Sequence, residues 1–157
     1  MNISKQASAE LEHIANLIKP IPISMLTHAD ASGALQSRPM AVLEMDADGA
    51  LWFFTDIRSA KGKDLQLANV AFADLDRSTY VSLSGHAEIV QDRKRIENLW
   101  TVFAKPWFPD GPESPNLALL RFVPTAADYW DAPDSMMVRA FGTVASICCP
   151  SCLKPEP

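Results

Sequence analysis

Tyr80-Val81-Ser82-Leu83-Ser84-Gly85-His86-Ala87-Glu88-Ile89-Val90-Gln91 alternates apolar and polar side chains more regularly than any other part of the chain. Val81, Leu83, Ala87 and Ile89 fall on one face, and Ser82, Ser84, His86 and Glu88 on the other. A period of two belongs to a strand with one buried side. Gly85 breaks the row, which predicts a bulge or a close backbone approach there. Moving outward, Asp76 to Thr79 supplies a turn, and Val70 to Leu75 is the strand before it. Asp92 follows as a helix cap, and Ile96, Leu99, Trp100 and Phe103 form an apolar stripe on a helix running to Ala104.

The rest of the chain repeats short strands joined by tight turns. Ala7, Leu11, Ile14, Ala15 and Ile18 recur at helical spacing between Ser4 and Lys19, and Pro20 and Pro22 end that helix. Ile23 to Thr27 and Leu35 to Met45 are extended runs around the turn Ala29 to Gly33. Asp46-Ala47-Asp48-Gly49 is a hairpin turn, because Gly49 tolerates positive φ. Ala50 to Thr55 returns as a third strand, with Leu51 to Phe54 buried on both faces. Pro106, Pro109, Gly111, Pro112 and Pro115 make Lys105 to Asn116 a loop that exposes Trp107 and Phe108. Leu117 to Val123 is the sixth strand, and a further extended piece after Pro124 ends at Tyr129-Trp130. This predicts a mainly β (α+β) fold, a barrel of about six antiparallel strands with flanking helices.

Composition narrows the function. The 157 residues are 48% hydrophobic and carry a formal charge of −5, which argues against a general nucleic-acid surface. The N-terminal residues lack an apolar signal core, and no apolar run is long enough to span a bilayer, so a cytoplasmic protein is expected. Cys148, Cys149 and Cys152 cluster in the tail. Cys149-x-x-Cys152 suits half a zinc site or a redox pair, but no second pair has ligand spacing, so unemployed, reduced thiols are the simpler reading.

One stretch carries chemistry: Phe53-Phe54-Thr55-Asp56-Ile57-Arg58-Ser59-Ala60-Lys61-Gly62-Lys63-Asp64-Leu65. It reads as a strand end, a polar turn and a helix from Ser59 to Ala68 capped by the Ser59 hydroxyl. Lysines in a first turn oppose the helix dipole, and there they suit a bound anion. Solvated lysines on an ordinary turn are the alternative.

In this order of elements, several motifs resemble the pyridoxamine 5′-phosphate oxidase-like split barrels. Ser37-Arg38-Pro39-Met40-Ala41-Val42 resembles their Arg-containing strand, and Phe54-Thr55 followed by Ser59 and Lys61 resembles their FMN-phosphate segment. Ser84-Gly85-His86-Ala87 is similar to their central strand. Lys105 to Gly111 and Asp128 to Pro133 resemble the general stress protein branch. The resemblance implies a six-stranded antiparallel split β-barrel over residues 1–145, with 146–157 as a tail. It also implies a homodimer with FMN, or FAD, at the subunit interface. Arg38 and Lys61 would pair with the phosphate, aided by Ser59, while Pro39, Met40, Ala41, Phe53, Phe54 and Thr55 would line the ring and ribityl chain. Trp107 and Trp130 would cover the flavin or, alternatively, serve dimer packing. The chain after Arg139 offers no arginine pair for a substrate phosphate, which argues against pyridoxamine phosphate oxidation. The expected activity is a stress-related flavin oxidoreductase with a small-molecule electron donor and acceptor. The alternative is a flavin store or sensor without turnover.

Overall fold

The computed structural model describes residues 1–30, 32–60, 65–131 and 138–140. Its sheet is built around the alternating run, which is strand β7 (Thr79–Val90). In chain order the other strands are β1 (Asn2–Ile3), β2 (Ile23–Ala29), β3 (Leu35–Ala41), β4 (Glu44–Met45) and β5 (Leu51–Asp56). They are followed by β6 (Ala68–Asp74), β8 (Leu117–Asp131) and β9 (Val138–Ala140). The helices are α1 (Ala9–Ile18), α2 (Ile57–Ala60) and α3 (Arg93–Leu99).

The strands form one sheet in the order β1-β4-β5-β8-β7-β6-β2-β3, with β9 added to β8. Six strands are long, namely β2, β3, β5, β6, β7 and β8, and they pair antiparallel. The curled sheet is the expected split barrel. β3 ends the path and returns alongside β5 without joining its ladder. Of β5, only Leu51 and Trp52 pair with the short β4. The remainder of β5, from Phe53 to Asp56, therefore faces β3 across a gap.

Burial follows the alternation. Val81, Leu83 and Ala87 of β7 join Leu26, Phe53, Val70 and Phe122 in the main core, under the apolar face of α1. Ser8 caps α1 by accepting a hydrogen bond from the Leu11 amide at 3.2 Å, and Leu11, Ile14, Ala15, Leu17 and Ile18 are buried. Burying a side chain such as Phe53 contributes about 1.5–3 kcal/mol. A second, smaller cluster joins Trp52, Ile96, Leu117 and Leu119 beneath α3. Arg95 stacks on Trp52 at 3.7 Å from the ring centroid and pairs with Glu44 at 3.0 Å, tying α3 to β4 and β5.

Gly85 marks a close approach and a bulge. The β7–β8 register shifts between Ser84 and Gly85, and a Cβ on Gly85 would stand 2.1 Å from the Val123 carbonyl oxygen. Pro124 sits opposite Gly85 at this irregularity. Its missing N–H is therefore tolerated, and β8 runs through it as one fifteen-residue strand instead of ending before it.

Other expectations need correction. Leu35 to Met45 is not one strand, because Val42 and Leu43 separate β3 from β4. The helix expected from Ser59 to Ala68 is confined, among the described residues, to Ile57–Ala60, and Ala68 already belongs to β6. The helix after Asp92 stops at Leu99, since Trp100 takes an extended conformation and docks on Phe54 with ring centroids 5.7 Å apart. Phe103, expected on its buried stripe, lies on a 3₁₀ turn (Val102–Ala104) and is 82% exposed. β1, which pairs in parallel with β4, is too short to leave a sequence signal. No helix among the described residues is long and apolar enough to cross a membrane.

Candidate functional site

The β2–β3 hairpin sets one wall of the site. Asp30 organises its turn: Oδ1 accepts from the Ser32 amide, the Ser32 hydroxyl and the Ala34 amide, and Oδ2 accepts from Gln36 Nε2. These bonds, the Ser32 hydroxyl first, hold the Asp30 carboxyl below its ordinary pKa. Gly33 takes φ +84°. The turn fixes the register that sets Arg38 opposite Leu26, so that Arg38 and Met40 sit on the barrel side of β3 while Pro39 and Ala41 sit on the outer side.

The opposite wall is the end of β5. Phe53 and Thr55 are buried toward the barrel, while Phe54 packs outward with Trp100 and Phe108. The third wall is the segment after α3, from Thr101 to Phe108. Between the three walls lies a mostly apolar cavity of about 660 Å³. It receives Arg38, Pro39, Met40 and Ala41 from β3, Phe54, Thr55 and Asp56 from β5, Ser59 from α2, and Trp107 from the third wall.

Arg38 is the anomaly in this cavity. Its Nε and Nη2 are shut off from solvent and have no hydrogen-bond acceptor among the described residues. Desolvation lowers its pKa from the ordinary guanidinium range. Buried donors are almost always satisfied, and leaving one unmade costs about 1–3 kcal/mol. A pair of orphaned guanidinium donors beside a cavity has the donor chemistry for a bound anion.

The turn into α2 differs from the sequence expectation. Asp56, not Ser59, precedes the helix and caps it, accepting from the Arg58 amide at 2.8 Å. The Ile57 amide donates to the Asn116 carbonyl at 2.8 Å. Ser59 lies inside the helix and donates its hydroxyl to the Asp56 carbonyl at 2.9 Å. Two amides that an anion at the helix start would need are thus already engaged. Both Asp and Ser are good caps, and the choice went to the residue three positions earlier. Asp56 also grips the Arg58 guanidinium, with Nη2 to Oδ2 at 2.6 Å and Nε to Oδ1 at 3.1 Å. The Arg58 guanidinium is the main cause that holds the Asp56 carboxyl down at about 2.

Of the residues singled out from the sequence, Arg38, Pro39, Met40, Ala41, Phe54, Thr55, Ser59 and Trp107 meet in the one cavity. Phe53 does not line it, because its side chain is fully buried in the main core. Trp130 does not line it either; it sits on β8 opposite Tyr80 of β7, and both are partly exposed on the outer face. Lys61 and the three cysteines lie outside the described residues. Sequence reasoning missed Asp56 as a lining residue. Its spacing before Ile57 and Arg58 was the available signal, since an Asx cap accepts from the amide two positions on.

Comparison with known proteins bears on the fold and the family. The chain is 27% identical to the general stress FMN/FAD binding protein of Xanthomonas citri, with a TM-score of 0.65 over 83% of this chain and 95% of that one. The general stress protein 26 of Bacillus anthracis shares the fold at 22% identity, with a TM-score of 0.69 over 85% of this chain and all of that one. Protein bli-3 of Neurospora crassa is 29% identical over 133 residues, which cover 76% of this chain; the match spans 64% of that relative's length. The family model described as pyridoxamine 5′-phosphate oxidase like matches residues 9–149. With the curled sheet and its gap, that match places the chain in the pyridoxamine 5′-phosphate oxidase-like family.

Proposed function

We propose that the chain is a flavin-binding general stress protein that holds FMN in the gap between β3 and β5. The observation that carries this reading is the pair of orphaned Arg38 donors beside an apolar cavity. A flavin mononucleotide presents both complements, a phosphate for the guanidinium and a flat ring for the slot formed by Pro39, Ala41, Phe54 and Trp107. Lys61 would add a point charge to the phosphate. When bound, the flavin supplies hydride or single-electron transfer. The protein's own part is to bind the phosphate, orient the ring and exclude water. Arg38 and Asp56 are the only groups among the described lining residues that are charged at neutral pH. FAD extends beyond the phosphate, and the binding site carries either flavin in this reading.

The family resemblance pairs this site with a homodimer, and the outer face supports that part of the proposal. Ile23 and Met25 of β2 are 50% and 42% exposed, and Tyr80 of β7 and Trp130 of β8 lie opposite each other, both partly exposed. A dimeric mass by light scattering is expected at micromolar concentration, and a monomeric mass contradicts it.

The test of the site is FMN titration of the purified protein and of an Arg38→Ala, Lys61→Ala variant. Loss of binding in the variant supports the phosphate assignment; undiminished binding overturns it. Addition of NAD(P)H with candidate acceptors then separates an oxidoreductase from a flavin store, since only the former accelerates reductant consumption.

A further inference from the structure

We infer that Arg58, held by Asp56 at the cavity edge, strengthens the site's preference for a phosphorylated flavin by cancelling a carboxylate that would otherwise repel it. The inference rests on the flavin reading above and concerns a residue outside the cavity lining.

Asp56 lines the same cavity as Arg38, and it brings a negative charge into a site proposed to take a dianionic phosphate ester. An uncompensated carboxylate there opposes binding, because the apolar walls screen the repulsion less than bulk water does. Asp56 is nonetheless required where it stands, since Oδ1 caps α2 through the Arg58 amide at 2.8 Å. Arg58 resolves the conflict. Its Nη2 reaches Oδ2 at 2.6 Å and its Nε lies 3.1 and 3.2 Å from the two oxygens, a forked grip that covers both of them. The arginine side chain is 69% exposed against 29% for the aspartate, so the guanidinium is the solvent-facing half of the pair. The residue two positions along the chain thus neutralises the carboxylate at the cavity edge, while Arg38 offers the direct donors.

The chemistry points to a contrast between FMN and riboflavin, which share the ring and ribityl chain and differ in the phosphate. In Arg58→Gln the cap and the cavity lining are kept and the positive charge is lost. The expected result is an FMN affinity lower by roughly tenfold at low salt, with riboflavin affinity unchanged and the FMN loss shrinking as salt rises. Asp56→Asn combined with Arg58→Gln should restore FMN affinity, because asparagine caps a helix as well as aspartate does and carries no charge. Circular dichroism and thermal melting establish that each variant is folded. Equal losses of FMN and riboflavin in Arg58→Gln, no loss of either, or no rescue by the double variant would overturn the inference while leaving the flavin reading intact. Failure of the unaltered protein to bind either flavin would overturn both.

Discussion

Arg38→Met should move stability and binding in opposite directions. Methionine matches the aliphatic stem of arginine and can occupy the same space without the guanidinium. Nε and Nη2 of Arg38 are shielded from solvent without an acceptor among the described residues. Each orphaned donor costs about 1–3 kcal/mol, so removing both should stabilise the apoprotein, offset in part by the solvation of the remaining guanidinium nitrogen. A net gain of about 1 kcal/mol corresponds to a rise of about 2–4 °C in Tm for a domain of this size. Binding should fall. Two charge-assisted hydrogen bonds to a phosphate contribute about 3 kcal/mol at the low end of their range, which is a loss of about 150-fold in FMN affinity. Urea melts of the flavin-free proteins and quenching of FMN fluorescence measure the two quantities. An Arg38→Met apoprotein that is destabilised by more than about 1 kcal/mol, yet binds FMN like the unaltered protein, would refute the reasoning. It would mean that Arg38 holds the fold together and has no part in anion binding.

Phe53→Ala should cost about 3–5 kcal/mol by chemical denaturation, because Phe53 is fully buried in the main core. Trp107→Ala, at a side chain 75% exposed, should change stability by less than about 0.5 kcal/mol while altering flavin affinity; an unchanged affinity removes Trp107 from the site. Gly85→Ala should destabilise the protein by about 1–3 kcal/mol, since its Cβ would meet the Val123 carbonyl oxygen, and an unaffected melt would show that the bulge relaxes freely. The Asp56 carboxyl should titrate at about 2 by NMR and move up toward 3.8 in Arg58→Gln. Its folded-state pKa lies below the unfolded value, so the stability it contributes is present above about pH 4 and is lost as pH falls toward 2.

How much of this the chain displayed in advance depends on the range of the forces involved. The strand at Thr79–Val90, the Gly49 hairpin and the Asp92 cap were legible because each depends on residues a few positions apart. Asp92 indeed accepts from the Arg95 amide at 3.0 Å. The end of α3 was not legible, because Trp100 leaves the helix to pack on Phe54, a partner far away in sequence. Pro124 misled for the same reason: its cost vanishes only because the bulge at Gly85 faces it across the ladder. At the site, residue types named Arg38 and Thr55, and the alternation of β3 and β5 brought them to the same gap. Phe53 was placed there too, although its side chain follows the same period of two into the core. Asp56 went unnoticed because Ser59 offered an equally good cap, and only the engaged amides of Ile57 and Arg58 decide between them.

The central claim is that Arg38 meets a flavin phosphate in the gap between β3 and β5. The most direct measurement is the affinity of the unaltered protein for FMN and for riboflavin under the same conditions, by fluorescence titration. The account predicts that FMN binds tighter by about 150-fold, the contribution of two charge-assisted hydrogen bonds. Equal affinities, or no binding of either flavin, would contradict it.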